Sequence, residues 1–151
     1  MKQQLGTLIV LAFLLALGPS AVSADIIPDT LVAQFDDIAR DHITSAVLRD
    51  GSHVKPETPA ERAVPLIPQK DQKRVVEHGA KTALIESCGL EWRPIYIKFM
   101  ADERKQYHWS DKQSAYMGML HGISQGFFYK DFAEKGCSAE MKSALRQKLG
   151  L

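Results

Sequence analysis

Apolar residues return along this chain at the three- and four-residue steps of amphipathic helices, and the polar and proline-rich stretches between them mark the joints. Leu31, Phe35, Ile38, His42, Ile43 and Val47 form one stripe, predicting a helix from about Asp29 to Arg49 that Asp50-Gly51-Ser52 stops. A second stripe, Val75, Val76, Ala80, Ala83 and Leu84, predicts a helix over Asp71–Ser87. Residues 91–106 carry both periods, since Ile95, Ile97 and Phe99 alternate as in a strand. Pro94 suits a helical first turn, and the following Ala101–Gln106 favours helix, which decides for helix. Ser110 followed by Gln113 is a capping box. The helix it opens, about Asp111 to Lys130, bears the stripe Tyr116, Leu120, Ile123 and Phe127. Ser138 caps a last helix, Ala139–Leu149, with Met141, Leu145 and Leu149 facing inward and Gly150 as its stop. The fold class expected is all-α, with four to five short helices.

Between the first two helices the pattern lapses. Residues 50–70 hold Pro56, Pro59, Pro65 and Pro68, four of the seven prolines in the chain, and read as an extended connector. Val64, Leu66 and Ile67 are available to pin it to the core. Its length marks either a functional arm or a semi-detached first helix.

The first 24 residues have another pattern. Lys2 precedes the apolar run Leu8–Leu17, Gly18 and Pro19 break it, and Val22, Ser23 and Ala24 place short side chains before a cut at Ala24/Asp25. A positive end, a short apolar core and a small-residue site define a secretory signal peptide. The run is too short for a membrane span, which takes about 20 residues. The chain therefore divides into a signal peptide (1–24), an N-terminal helix (25–49), a connector (50–70) and a helical domain (71–151). A periplasmic or secreted location is expected, without a stable membrane anchor.

Export changes the reading of the cysteines. Cys88 and Cys137, the chain's two, lie in no CxxC and have no histidine close by, so an oxidising compartment makes them a disulfide. Loop entropy assigns such a bridge roughly 4 kcal/mol. With Lys2 removed, the 127 remaining residues balance 18 basic against 18 acidic side chains. No positive excess is left to neutralise nucleic-acid phosphates or an anionic membrane.

Candidate chemistry is sparse. The chain lacks GxSxG, HExxH and phosphate-cradling glycine motifs. Met117 and His121, one turn apart, and Met119 are soft-metal candidates, with core packing the alternative. His42 lies on the first stripe, and His53, His78 and His108 are scattered. Glu91, Asp102, Glu103 and Asp111 flank aromatics and supply the carboxylates a cell-wall hydrolase would use, or else a solvated helix face. Trp92, Tyr107, His108 and Trp109 are candidate protein-binding residues. Gly118, Gly122 and Gly126 fall four apart inside one helix, each costing about 1 kcal/mol against alanine. Close helix packing would offset that, within the chain or across a homodimer.

The order Cys88, two helices, Tyr116-Met117-Gly118 with Gly122, Cys137 and a short amphipathic tail resembles the Tai-type immunity proteins of type VI secretion systems. Ser114 and Ala115 stand where that pattern often has a further cysteine. The resemblance implies a small periplasmic helical protein that blocks peptidoglycan amidases delivered by neighbouring cells. Size and cysteine spacing are also similar to the HdeA-type acid-stress chaperones, which are periplasmic, helical and singly bridged. Both cover residues 88–151. The function expected is a non-enzymatic, cofactor-free protein of the periplasm that binds another periplasmic or delivered protein, immunity-like or chaperone-like. The alternatives are a small metal- or ligand-binding protein using Met117 and His121, and a cell-wall hydrolase.

Overall fold

The computed structural model describes residues 27–150, so the signal-peptide segment lies outside the described residues. Six α-helices follow one another: α1 (Asp29–Asp41), α2 (Pro59–Arg62), α3 (Gln69–Ser87), α4 (Arg93–Tyr107), α5 (Asp111–Lys135) and α6 (Ala139–Leu149). A 3-10 turn, Ile43–Ser45, follows α1. The fold is all-α, with one or two helices more than expected; among the described residues the sole β pairing is the isolated Val47–His53 bridge.

The long helices α3 and α5 make the most extensive pair, and α1 lies across both. Their shared core buries Val32 and Phe35 of α1, Val75 and Val76 of α3, and Tyr116, Met117 and Leu120 of α5. A smaller cluster gathers Ile85, Cys88 and Leu90 with Trp92, Ile95, Cys137, Leu145 and Leu149. The Cys88–Cys137 disulfide, with Cα atoms 5.1 Å apart, ties the end of α3 to the start of α6 there.

Local caps set most boundaries. Ser110 and Gln113 form the reciprocal box at the start of α5, and Ser138 Oγ accepts the Met141 N–H of α6. The first helix is shorter than the stripe predicts and ends at Asp41 rather than Arg49. Beyond it the chain tightens, then extends and reverses. Leu48 N–H donates to Ser52 O across a turn in which Gly51 has φ +81°, and Val54 N–H donates to Ala46 O. This turn buries Ile43 and Val54 together but leaves His42, Ile38 and Val47 exposed, so three positions of the expected stripe are not core. Lengths also change at α3, which begins at Gln69 behind Pro68, and at α5, which continues to Lys135. Met141, expected to face inward, is exposed.

The connector is neither extended throughout nor detached. It contains α2, opened by a Thr58–Glu61 capping box. Ile67 is buried and Leu66 half-buried, but Val64 is exposed. What holds the segment is Arg40 of α1. Its guanidinium takes Glu57 through two 2.9 Å bonds and the carbonyls of Glu61 and Val64 at 2.9 and 3.0 Å. The Arg40 and Glu57 side chains are 5% and 4% exposed, a buried ion pair in which four of the five guanidinium hydrogens are bonded. The first helix is thus part of the main core, and the connector is strapped to it.

Candidate functional site

The seam between α3 and α5 carries the unusual chemistry. At its middle the helices touch backbone to backbone. A Cβ added to Gly79 would lie 2.7 Å from the His121 carbonyl oxygen and 2.7 Å from Ser124 Cβ. Gly79 is the glycine this packing requires. Within the chain, Gly122 and Gly126 are not the close-packing positions expected of the Gly118, Gly122 and Gly126 series. Among the described residues nothing lies within 4 Å of a Cβ placed at Gly122 or Gly126, and Gly118 faces the Tyr96 hydroxyl at 3.2 Å.

Beside Gly79 two histidines meet. His78 Nδ1 is 3.1 Å from His121 Nε2, and Thr82 Oγ1 is 3.2 Å from that nitrogen. Phe99 of α4 stacks on His78 with ring centroids 3.9 Å apart, and Tyr96 covers His121 at 4.6 Å. Burial disfavours the imidazolium in both rings and lowers each pKa to about 4; for His78 the neighbouring His121 and Lys81 act in the same direction. Burial also raises the Tyr96 phenol. Further along α5, the Tyr116 hydroxyl donates to Asp36 of α1.

Past the histidines the seam widens. Ile27, Ala80, Lys81, Leu84, Phe128 and Phe132, with Glu77, line a hollow of about 350 Å³. Phe127 stands beside it, 52% exposed, with its ring edge-to-face on Phe35 at 5.2 Å, and Phe128 stacks on Phe132 at 6.1 Å. The distal part of α5 therefore presents an aromatic strip to solvent, with Tyr129 also exposed.

The residues singled out in the sequence are dispersed. Tyr107 and Trp109 stack at 5.4 Å, with the Arg74 guanidinium 4.7 Å above the Tyr107 ring. His108 is exposed beside them in left-handed backbone (φ 57°), closing α4. Trp92 lies at the other end of α4, in the small cluster. The carboxylates are not gathered. Glu103 is buried and doubly bonded to Arg74, which also holds Asp71; Asp102 pairs with Lys98, Asp111 with Arg104, and Glu91 accepts the Arg93 N–H. Met117 packs in the main core, with Met119 against it, whereas His121 turns to His78. Among the described residues no group of three or more His, Cys, Asp or Glu is placed to hold a metal ion.

Sequence reading passed over Phe128 and Phe132 and left His78 as one of the scattered histidines. Phe128 and Phe132 are one turn apart, a signal that was available. His78 and His121 are 43 positions apart and carry no shared pattern. Comparison of the chain with protein-family models, curated proteins and solved structures finds no match.

Proposed function

We propose that this is an exported, non-enzymatic protein that holds another polypeptide on the aromatic end of α5. The observation that carries the reading is the exposed Phe127 beside the apolar hollow that the half-buried Phe128 and Phe132 line at the α3–α5 seam. A solvent-facing apolar patch of this kind marks an interaction site on a small protein, and aromatic anchors concentrate binding energy. The disulfide suits an oxidising compartment, in keeping with the leader read in residues 1–24. A shallow apolar hollow accepts side chains of varied shape, which favours chaperone-like capture over inhibition of one folded enzyme.

The test is capture of an unfolding reporter protein by the mature chain at equimolar ratio, followed by light scattering and by cross-linking from position 127. The wild type should suppress aggregation and cross-link to the reporter. A Phe127→Ser/Phe132→Ser double variant, its helix content checked by circular dichroism, should bind at least about tenfold more weakly. Equal capture by the double variant would overturn the reading.

A further inference from the structure

Lone pairs converge at the middle of the α3–α5 seam. His78 Nδ1 lies 3.1 Å from His121 Nε2, and Thr82 Oγ1 lies 3.2 Å from the same His121 nitrogen. Thr82 has one hydroxyl hydrogen, and the Gly79 carbonyl takes it at 2.9 Å, so only lone pairs of that oxygen face the ring. The contact between two neutral imidazoles has room for one hydrogen. Three electron-pair donors therefore share a single hydrogen at this point.

We infer that His78 and His121, with Thr82 beside them, form a binding site for a copper(II) ion in the α3–α5 seam. Two nitrogens 3.1 Å apart, each at a metal–imidazole distance of about 2.0–2.1 Å, subtend roughly 100° at the ion. That is a cis edge of a tetragonal or tetrahedral site and too narrow for a linear one. The donor types choose the metal. Two imidazoles and a hydroxyl, with no carboxylate bonded to either ring among the described residues, suit copper, zinc or nickel rather than magnesium or calcium. Copper(II) stands highest in the affinity order of the divalent first-row metals. Binding takes His78 as its Nε2–H tautomer and His121 as its Nδ1–H tautomer, so a ring hydrogen moves aside and none has to leave. The site uses His121 without Met117, which is packed in the main core.

The seam holds these atoms in place by itself. Gly79 brings α3 against the His121 carbonyl and Ser124, which fixes the separation of the two helices. Phe99 stacks on His78 at 3.9 Å and Tyr96 covers His121 at 4.6 Å, so both rings are clamped. Burial keeps both rings neutral at pH 7, which leaves their lone pairs free for a metal. His121 and Thr82 are buried and His78 is half-buried, so solvent reaches the pair past His78. Two imidazoles and a hydroxyl do not close a coordination shell, and water would complete it. Lys81 lies near enough to His78 to oppose a cation. Both features make this an exchangeable site of moderate affinity, suited to carrying copper rather than to fixing the fold. The site does not depend on the polypeptide-holding reading.

The test titrates the mature chain with copper(II) chloride in a non-coordinating buffer at about pH 7.5. Calorimetry should give one ion per chain with a Kd below about 100 μM. Electron paramagnetic resonance should show two nitrogen ligands. The paramagnetic ion should broaden the NMR signals of His78, Thr82 and His121 before those of other residues. His78→Gln and His121→Gln, with helix content checked by circular dichroism, should each weaken binding at least about tenfold, since even outer-shell changes at metal sites do so. The triple variant His42→Gln/His53→Gln/His108→Gln removes three exposed histidines and should bind like the wild type. A Kd above about 100 μM would overturn the site. So would broadening centred on the exposed histidines or on the start of the mature chain, and so would loss of binding in the triple variant. Should a seam variant fail to fold, the wild-type broadening pattern and the triple variant still decide.

Discussion

The core shared by α1, α3 and α5 and the small cluster around the bridge are held by different means. The larger one has no covalent link. It closes on apolar side chains from three helices and includes buried polar elements: the Arg40–Glu57 pair, the Tyr116–Asp36 bond and the two histidines. The smaller has three buried residues, Ile85, Cys88 and Leu90, and a ring of half-buried ones. Three such residues contribute roughly 5–9 kcal/mol at about 1.5–3 kcal/mol each, less than the cost of ordering the 11-residue tail helix at about 1–2 kcal/mol per residue, so that helix needs its staple. A large core has stability to spare for polar groups that fix one arrangement. A small cluster must be tied.

The sharpest way to break this contrast is at Arg40. Arg40→Ala would leave the buried Glu57 with only the longer ion pairs to Arg62 and Lys112, both at 3.8 Å, and would free the connector, costing about 2–4 kcal/mol in chemical denaturation. A loss under about 1 kcal/mol would show that the strap is dispensable. Replacing both cysteines, Cys88→Ser with Cys137→Ser, should cost about 2–4 kcal/mol, and unevenly. Hydrogen exchange should speed up in α6 far more than in the amides around Val75 and Leu120. Uniform acceleration would mean that the two clusters unfold as one.

Smaller effects sharpen the picture of the seam. Gly79→Ala places a methyl against His121 and Ser124 and should destabilise by about 1–3 kcal/mol. Gly122→Ala, with nothing near its new methyl, should stabilise by up to about 1 kcal/mol. Thermal unfolding of the two single variants reads both, and opposite signs are the expected result. Destabilisation by Gly122→Ala would return that position to a packing role.

Much of the helical layout was legible. Ser110 with Gln113, Ser138 and Gly150 marked ends that the structure reproduces, because a cap is a contact between residues three or four apart. The errors came where spacing was asked to report contacts. A four-residue glycine series looked like a packing face, yet the tight approach falls at the unremarkable Gly79. His42 kept helical register with Leu31 and Phe35, but the backbone leaves the helix just before it. Arg40 carried no signal in the sequence, because its partner Glu57 is 17 residues away and outside its helix.

The candidate site was still less visible. The four aromatics chosen, Trp92, Tyr107, His108 and Trp109, are split between the two ends of α4. The aromatics that face solvent are Phe127, one of the residues assigned to the core, and Tyr129, with Phe128 and Phe132 half-buried in the hollow beside them. Periodicity tells which residues share a helix face, but not which face a neighbour leaves open.

By itself the sequence determined the all-α class, the helices and most of their caps, and which two cysteines pair, since each depends on local spacing or on there being a single choice. Only the tertiary structure decided that α1 belongs to the core, that Arg40 holds the connector, and that His78 meets His121 under an open aromatic hollow. Those are contacts between residues distant in the chain, chosen by the packing of whole helices, and no local pattern encodes them.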